Sequence, residues 1–543
     1  MPALKKTEIN ASLFPDVAAG PATASSSRHT TALNTPAGSV YATEDADGDE
    51  GPLGMPTADG NEKIVLVQFE EDDPENPLLW TRAQKWSAVV LLNAMTMCIG
   101  LSTSAYSSGI GKMSAELGVS DVAGQVGMFT FNAACAVMPL FVAPLTELAG
   151  RRYIFVGAFG AFVAVSFMLA FGQNLATQII GRLLQGAFGS IGTILVGGVM
   201  SDCFGEAERA LPMSIFSFSA IFSTIAAPAY SGYIDQYLGW RWIQYIHIIF
   251  SGIVFLFEAA FLRESRADAI LRTRAARLRK ETGDGRFRAQ IELEGESIGA
   301  LFRQQSLRAL KLLVTEPVVS LYGLYIALAW GTVFLFLSVI PLTFQGNHGW
   351  SEGNAGLPYL ALILGCFAGF ATGLWQDHLY RKDTVQRGGT ARPEARLFGA
   401  MYFGPLFGIG IMIYSWTQFG FVHWIAPCIA LFLIIVGIYH VFLSVYQYTS
   451  DSYPTVASSA IAAQGLMRNG FAASFPLFGR QMFQGMGLQW AGLLLACLAL
   501  AIAPLPFVLF AKGETIRRRS RYAAASTGAK GKGDEESEQK GSR

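Results

Sequence analysis

Two arginines lie inside long apolar stretches of the sequence, where a charge needs a compensating partner. Arg182 is followed three residues later by Gln185, whereas Arg468 comes four residues after Gln464 and directly before Asn469. In α-helices these spacings place each arginine on the same face as its glutamine. A charged side chain at the depth of a lipid bilayer is costly unless protein, water or a ligand compensates it. We therefore expect these polar groups to face a cavity or another helix, as candidates for binding a ligand.

Arg182 has two interpretations. It either lines a central cavity and contacts a ligand, or it pins two helices together through hydrogen bonds to backbone carbonyls. Gly186, Gly189 and Gly192 leave the adjacent helix face thin, which permits a cavity as well as close packing. We favour the cavity.

Histidines in two other apolar stretches are candidates for the same cavity. His440 is followed at helical spacing by Ser444, and His247 lies in an earlier stretch. Imidazole changes its charge near neutral pH, so a structural role and a ligand- or proton-binding role are both open for each histidine. The other candidates for the cavity wall are Asn93, Asn132 and Trp330.

Acidic residues are absent from the middle of every apolar stretch. Glu258 comes nearest, but it lies about one helical turn from the end of its stretch. A polycation would need buried carboxylates to replace the water around its ammonium groups. The sequence therefore predicts an anionic or neutral-amphipathic ligand, such as an organic acid, rather than a polyamine.

A short charged segment, Leu145–Tyr153, joins two of the apolar stretches. It contains the acid Glu147, then Gly150, which permits a turn, and the adjacent cations Arg151 and Arg152. Acids and bases at helix ends form ion pairs that open and close, and several weak pairs together bias two conformations. The segment is therefore a candidate gate. The other charges expected to share it are Asp202, Arg209 and those of residues 381–383.

An unusually apolar chain positions these residues. Hydrophobic residues make up 52% of the 543 residues and charged residues 15%, well below the roughly one in four of soluble domains. Apolar stretches of about twenty residues, the length that crosses a bilayer as a helix, recur along the sequence. The predicted fold class is an all-α integral membrane protein with twelve transmembrane helices in two six-helix bundles. The predicted spans are 86–106, 122–144, 154–172, 176–199, 210–231, 241–262, 315–340, 352–374, 396–416, 422–446, 456–480 and 488–510.

Charge divides the chain further. Residues 1–80 are polar and lack helical periodicity, which is typical of a disordered tail. Lysines and arginines are concentrated in the loops on the side of the two termini, so both termini are predicted to be cytoplasmic. The predicted organisation is a tail over 1–80, a six-helix bundle over 81–262, a basic central loop over 263–314, a second bundle over 315–511 and a tail over 512–543.

The central loop contains a candidate amphipathic helix. Leu271, Ala275 and Leu278 form a thin apolar stripe among basic residues. Such a helix is expected to lie on the inner face of the bilayer and to attract anionic lipids. A solvated linker helix is the alternative.

The charged segment resembles the loop between the second and third spans of the major facilitator superfamily. Glu147 occupies the acid position of that pattern, and Arg151 and Arg152 occupy its basic positions. Ala143 replaces the leading glycine. The resemblance implies that the segment is a cytoplasmic gate, and that Glu147 and Arg151 bond near the inner end of the eleventh span or its neighbours when the protein faces outward.

Two further motifs resemble the same superfamily. Residues 182–186 are similar to its fourth-span motif, and residues 227–232 are similar to the fifth-span motif of its antiporters. Only Pro228 and Gly232 of the latter motif are retained, and they are predicted to bend the helix. The resemblance implies a transporter that alternates access between two sides of a membrane.

Other stretches resemble the fungal drug:proton antiporter branch with twelve spans. They are Asp73–Pro77 with Trp80, Gly239–Trp242, Glu264–Asp268 with Arg277–Lys280, Pro393–Leu397 and Phe475–Phe478. The resemblance implies proton-coupled export of a small metabolite or xenobiotic by a monomer in the plasma membrane or an internal membrane. It implies no cofactor, and the cysteine spacing predicts no metal site.

Several alternatives stay open at this point. A multidrug pump fits the same resemblance as an exporter of the cell's own products. The titratable candidates for proton coupling are Glu258, His440 and His247, so a facilitator without proton coupling is an alternative. A further alternative is a sensor, built on a transporter fold, that does not transport. Residues 378–383 fit a His-x-x-x-x-Asp acyltransferase spacing but lack a supporting glycine-rich motif. No phosphate-binding Gly-x-x-x-x-Gly-Lys occurs, which argues against an ATP-driven pump.

Overall fold

Long α-helices account for nearly all of the regular structure. The computed structural model describes residues 31–33, 40–42, 64–205, 208–293, 298–387, 392–453 and 456–524. The helices before the central loop are α1 (Arg82–Glu116), α2 (Asp121–Ala149), α3 (Arg151–Phe171), α4 (Leu175–Ser190), α5 (Val196–Cys203), α6 (Ala210–Ala226), α7 (Pro228–Leu238) and α8 (Trp240–Phe261). The helices of the central loop are α9 (Ala267–Thr282), α10 (Gln290–Leu293) and α11 (Ile298–Thr315).

The second half repeats this helical architecture. Its helices are α12 (Pro317–Pro341), α13 (Tyr359–Gln386), α14 (Phe398–Phe403), α15 (Pro405–Thr417), α16 (Ile425–Ser452), α17 (Ala457–Met486), α18 (Leu488–Ile502), α19 (Leu505–Arg519) and α20 (Arg521–Ala524). The described strands are short. They form an antiparallel pair, β1 (Thr31–Leu33) with β2 (Val40–Ala42), and a parallel pair, β3 (Val65–Leu66) with β4 (Phe287–Arg288).

Local signals fix where helices begin and turn. Thr81 and Gln84 form a capping box at the start of α1. Between α2 and α3, Gly150 has a φ of 92°, a conformation that residues with side chains rarely adopt. A Cβ atom at this position would also lie 2.6 Å from a carboxylate oxygen of Glu264. The turn at the predicted gate therefore requires glycine.

Eleven helical segments of the described residues are long and apolar enough to cross a membrane. Two of them join consecutive helices: Leu175–Cys203 contains α4, a π-helical segment and α5, and Ala210–Leu238 contains α6 and α7. The predicted span 456–480 corresponds to α17, which has 30 residues but is more polar because it carries two arginines. The predicted all-α membrane fold is confirmed, and the chain is a multi-pass membrane protein.

Two large clusters of buried apolar side chains hold the helices together. The first lies among α1, α2, α3, α5, α6 and α8 and includes Phe155, Phe159 and Phe162. The second is built mainly on α12–α18 and reaches α1 through Tyr106 and α6 through Ile221. Between the two bundles, α2 packs against α17 and α6 packs against α13. These helices form the interface along which the cavities lie.

A small ordered unit precedes α1 and contacts the central loop. Residues 64–80 belong to the segment predicted as a disordered tail, yet they contain β3 and a 3-10 helix over Pro77–Leu79. Val67 packs with Ala275, Leu278 and Phe287 in a separate core. The apolar stripe of α9, expected to lie on lipid, therefore packs against protein here. Binding of anionic lipid by the loop stays a prediction.

Arg274 ties this unit to α9. Its guanidinium donates to Asp73 Oδ2 at 2.5 Å and to Glu75 Oε2 at 2.7 Å. Burial raises the pKa of Asp73, but hydrogen bonds from Arg274 and from the Glu75 amide hold that pKa below its ordinary value. The segment Asp73–Pro77 thus acts as an ionised anchor for the central loop.

The bundles have two ends, which are named here by their residues. The tail side is the end at which α1 begins, and it carries Arg151 and Arg396. The far side is the opposite end, and it carries Lys112, Glu352 and Arg480.

Candidate functional site

Three cavities follow one another along the interface between the bundles. A cavity of about 430 Å³ opens on the far side, and one of about 640 Å³ opens on the tail side. Between them lies a central cavity of about 40 Å³, lined by α1, α2, α6, α12 and α17. The central cavity is the smallest of the three and is lined by residues of both bundles.

Arg468 lies in the wall of the central cavity. Its side chain is 3% exposed, and Nη1 donates to the hydroxyl of Tyr446 at 2.6 Å. Among the described residues it forms no salt bridge, and its Nε atom has no hydrogen-bond partner. The rings of Trp330 and Phe442 lie 5.3 and 5.6 Å from its Cζ atom, within cation–π distance. The guanidinium is therefore held by aromatic rings and one tyrosine hydroxyl, and its Nε has no hydrogen-bond partner among the described residues.

Predicted residues from both bundles meet at this cavity. Asn132 on α2, Trp330 on α12 and Asn469 on α17 all line it with Arg468. Asn469 donates to the carbonyl oxygen of Cys135 on α2 at 3.2 Å, which joins the bundles at mid-depth. Four of the predicted cavity residues are therefore brought together.

Arg182 is not part of this wall. It is fully buried, and its guanidinium donates to the carbonyl oxygens of Ser102 at 3.4 Å and Thr103 at 3.2 Å, both on α1. The two aromatic rings that cover the guanidinium, 4.3 and 4.6 Å from Cζ, belong to Tyr106 and Phe131. This geometry matches the helix-pinning interpretation, which sequence reasoning had ranked second.

Gln185 completes the network inside the first bundle. Its Oε1 accepts from Arg182 at 2.8 Å, and its Nε2 donates to the hydroxyl of Ser166 on α3 at 2.9 Å. Asn93 likewise stays within its own helix, donating to the carbonyl of Val89 at 2.7 Å. Neither residue lines the central cavity.

The two histidines are packed within the bundles. His247 Nε2 lies 2.8 Å from the Tyr230 hydroxyl. His440 Nε2 lies 2.8 Å from the Thr372 hydroxyl, and its ring stacks on Phe403 with centroids 4.5 Å apart. Each histidine therefore has a structural partner at one ring nitrogen.

The remaining predicted residues of the second bundle also find internal partners. Gln464 and the hydroxyl of Thr449 exchange hydrogen bonds of 3.0 and 3.3 Å. The Ser444 hydroxyl donates to the carbonyl of Val441 on the preceding turn at 3.0 Å. They support α16 and α17 around Arg468 without lining the central cavity.

The predicted gate residues lie at the wall of the tail-side cavity. Arg151 Nε donates to Asp202 Oδ2 at 2.5 Å, and the carboxylate of Glu264 accepts from the backbone amides of Arg151 and Arg152 at 2.8 and 3.0 Å. Arg209 lines the same cavity. In this conformation Arg151 thus pairs within its own bundle, and the bond near the eleventh span, expected for the outward-facing state, stays a prediction. The side chain of Glu147 lies outside the described residues.

A second charge cluster on the tail side was missed by sequence reasoning. Arg396 Nε donates to Asp451 Oδ2 at 2.9 Å, and its Nη1 lies 3.5 Å from Asp377 Oδ1. The sequence contains a signal for this cluster. Arg396 lies at the start of the ninth predicted span and Asp451 follows the tenth span, just as Arg151 precedes the third span and Asp202 follows the fourth. The Arg381–Asp383 segment contributes differently: Asp383 pairs with Arg392 at 2.9 Å.

A buried acid of the first bundle, Glu258, has neither an ion pair nor a hydrogen bond among the described residues. Glu258 on α8 is fully buried, and neither carboxyl oxygen has a hydrogen-bond partner among the described residues. Its neighbours along the helix, Val254 and Leu262, belong to the apolar core of the first bundle. An ionised carboxylate without partners in such a core is very costly, so the geometry suits the neutral, protonated form.

Pro228 and Gly232 lie where the bundles approach each other on the far side. Pro228 begins α7 directly after α6. A Cβ atom on Gly232 would lie 3.0 Å from the carbonyl oxygen of Glu352 in the second bundle. The motif therefore provides a close contact between bundles as well as a helix break.

Comparisons with known proteins agree with this architecture. The model of the Major Facilitator Superfamily matches residues 92–476. The chain is 35% identical over 459 residues to the MFS-type efflux pump MFS2 of Trichophyton rubrum, which covers 84% of this chain and 77% of the relative. It is 34% identical over 462 residues to the multidrug transporter mdrA of Aspergillus fumigatus, covering 85% and 76%. It is 32% identical over 459 residues to the efflux pump FUBT of Fusarium oxysporum, covering 84% and 77%.

Proposed function

Because this chain belongs to the Major Facilitator Superfamily, we propose that it exports a small organic molecule across a membrane by alternating access. The relatives described above are named as efflux pumps and a multidrug transporter. The proposed cargo is an organic anion or a neutral amphipathic molecule. It enters from the tail-side cavity, binds at the central cavity and leaves through the far-side cavity.

The observation that carries this proposal is the state of Arg468. A guanidinium is permanently charged and needs compensation in a low-dielectric site. Arg468 lines the central cavity without a carboxylate partner among the described residues. A carboxylate or other anionic group on a substrate would supply the missing charge and accept a hydrogen bond.

The other cavity residues suit a mixed polar and apolar cargo. Trp330 and Phe334 offer aromatic surface, while Asn132 and Asn469 offer amides that accept and donate hydrogen bonds. Aromatic surface combined with a few placed polar groups is typical of small-molecule sites. The central cavity of about 40 Å³ is smaller than such sites, so binding requires the bundles to separate there. A polyamine would meet the Arg468 cation there and find no carboxylate in the wall, so its binding is disfavoured.

The test is transport by purified protein in liposomes. Uptake of a radiolabelled aromatic monocarboxylate is compared with uptake of the corresponding amine and of spermine. The monocarboxylate is expected to be transported best. Arg468→Gln is expected to raise its KM about tenfold, which corresponds to about 1.4 kcal/mol of binding free energy. Spermine transported faster than the carboxylate by the wild-type protein would contradict the proposed cargo.

A matched control separates this effect from general loss of charge. Arg518 is an exposed arginine on the tail side, and among the described residues its ion-pair partner is Glu514 at 2.7 Å. Arg518→Gln is expected to leave KM unchanged, because surface pairs of this kind contribute little. An equal rise in KM for both variants would argue against Arg468 as the binding residue.

Proton antiport is part of the proposal, and Glu258 supports it. A buried carboxyl that is neutral in one conformation and hydrated in another binds a proton in the first and releases it in the second. Dissipating the proton gradient is then expected to stop concentrative uptake. Unchanged accumulation of the substrate would contradict proton antiport and would favour a facilitator without proton coupling.

The proposed orientation places the tail side in the cytoplasm and the protein in the plasma membrane. The concentration of lysine and arginine in tail-side loops supports this orientation. Protease digestion of intact cells tests it: an epitope added after residue 543 is expected to be protected until the membrane is permeabilised. Cleavage in intact cells would show that the C-terminus lies outside the cell, opposite to the proposed orientation.

A further inference from the structure

Three charged residues meet between the bundles on the far side. Lys112 on α1 lies 3.1 Å from Glu352 Oε2 and 3.7 Å from Asp235 Oδ2, and it donates to the backbone carbonyl of Asp235. Asp235 lies on α7 in the first bundle, whereas Glu352 precedes α13 in the second. The cluster therefore spans the interface between the bundles. Its two carboxylates, Asp235 and Glu352, are called the acid pair.

Asp235 is the unusual member of the acid pair. Its side chain is 0% exposed, and neither carboxyl oxygen has a hydrogen-bond partner among the described residues. Lys112 is too far from Oδ2 for a hydrogen bond and is bound more closely by Glu352. Two ionised carboxylates would share a single ammonium, and one of them, Asp235, is fully buried while Lys112 and Glu352 are partly exposed. One bound proton removes the excess negative charge.

The acid pair lies at the point where the bundles touch. Gln236 Oε1 accepts from the amide of Gly353 at 2.7 Å, and the Tyr233 hydroxyl donates to Asn354 Oδ1 at 2.7 Å. Both contacts join α7 to the segment that carries Glu352. Any change in the charge of the acid pair therefore acts directly on contacts that close the far side.

Other charged and titratable groups near α7 have partners of their own. On α1 and α8, Glu116 pairs with Arg241, and His247 on α8 bonds to Tyr230 on α7 itself. Across the same cavity, Arg480 lies 2.8 Å from Asp121. On α13 the titratable residue that lines the cavity is Tyr359, whose hydroxyl lies 3.3 Å from the carbonyl of Phe336. The acid pair differs from them in having fewer cations than carboxylates.

We propose that Asp235 and Glu352, held by Lys112, form a proton-binding site that controls the far-side gate between the bundles. With one proton bound, the cluster is neutral and the bundles stay in contact beside the far-side cavity. Loss of the proton leaves an uncompensated carboxylate, which is relieved when the bundles separate and water enters. By linkage, the closed state binds the proton more tightly than the open state, so rising pH favours opening. This inference rests on the alternating access of the proposed function, and it adds a second proton site distinct from Glu258.

The gate is tested through the reactivity of a cysteine in the far-side cavity. Ser338 on α12 lines that cavity, whereas Gln484 near the end of α17 is exposed on the same side. Purified Ser338→Cys and Gln484→Cys proteins in lipid nanodiscs are labelled with a charged maleimide between about pH 5 and pH 8. Labelling at each residue is quantified by peptide mass spectrometry, and the Gln484→Cys signal corrects for ionisation of the thiol.

The corrected labelling of Ser338→Cys is expected to rise severalfold with pH. Asp235→Asn removes the charge without changing the shape of the side chain, so labelling is expected to stay low at every pH. The matched control is Glu116→Gln, which removes a far-side carboxylate whose partner, Arg241, lies in the same bundle, and it is expected to keep the pH response. A pH response in Asp235→Asn equal to that of the parent would overturn the proposal.

The outcome separates this inference from the proposed function. A flat response in the parent, in protein that still transports the carboxylate, rejects the acid pair as a gate and leaves the export proposal standing. A normal response in protein that transports no organic molecule supports the gate and rejects the proposed export. Size-exclusion profiles identify any variant that has failed to fold. For such a variant, Glu352→Gln replaces Asp235→Asn, with the same expected loss of the pH response.

Discussion

Arg151 and Asp202 form a two-point ion pair on the tail side of the first bundle, with Nε to Oδ2 at 2.5 Å and Nη2 to Oδ1 at 3.2 Å. Arg396 and Asp451 form the corresponding pair in the second bundle at 2.9 Å. Both pairs line the tail-side cavity, and neither crosses between the bundles. Two ionic contacts of the described residues cross between the bundles, Lys112–Glu352 and Arg480–Asp121, and both lie on the far side. The described conformation therefore has its ionic closure away from the tails.

The Arg151–Asp202 pair is expected to control the rate of conformational change. Arg151→Ala removes a charge from the start of α3, away from the central cavity. It is therefore expected to alter the balance between the two access states and not the binding site. Turnover is expected to fall about tenfold, equivalent to about 1.4 kcal/mol in the activation free energy. Substrate KM should stay nearly constant. Initial rates over a range of substrate concentrations measure both, and a large rise in KM with normal turnover would place Arg151 in the binding site.

Arg182 is expected to stabilise the first bundle. Arg182→Lys keeps the charge but loses the fork that reaches two carbonyls on α1, at a cost of about 2 kcal/mol. The measurement is thermal unfolding in detergent, which should show a lower Tm while the KM of the surviving protein is unchanged. Arg468→Lys is the comparison, since it should change KM more than Tm. If Arg182→Lys changed KM more than Tm, the result would support a cavity role for Arg182.

Glu258 is expected to be required for proton coupling. Glu258→Gln keeps the shape and the neutral charge of the buried side chain, so folding should be preserved while the transferable proton is lost. Uptake driven by a pH gradient should disappear, whereas exchange of labelled for unlabelled substrate should continue. Glu514→Gln is the control, because that glutamate is 70% exposed. Continued gradient-driven uptake by Glu258→Gln would exclude Glu258 as the coupling residue.

Gly186 is expected to be required for packing between α2 and α4. A Cβ atom there would lie 2.8 Å from the Cα atom of Phe131, so the helices would have to separate. Gly186→Ala is expected to cost about 1–3 kcal/mol of stability and to lower the Tm. Gly157→Ala on α3 is the matched control, because a Cβ atom there meets nothing within 4 Å. Equal Tm values for the two variants would show that the contact relaxes easily.

Sequence reasoning identified the wall of the central cavity in part. Arg468, Asn469 and Asn132 stand out because polar groups in apolar stretches are costly, and Trp330 stands out as an aromatic on a neighbouring span. The same rule also selected Arg182, His247 and His440. It detects a polar group that needs a partner, but it cannot distinguish a partner on the next helix from a ligand in a cavity.

The amino-acid sequence by itself determined the membrane fold. A segment that crosses a bilayer must be apolar over about twenty residues, and this length can be read directly from the sequence. It also determined the candidate gate, since Gly150 and the flanking charges form a local motif. Only the tertiary structure decided which charges meet. Asp235 and Glu352 are 117 residues apart, and their shared ammonium comes from Lys112 on α1. Such clusters depend on how whole helices pack, which no local pattern of residues records.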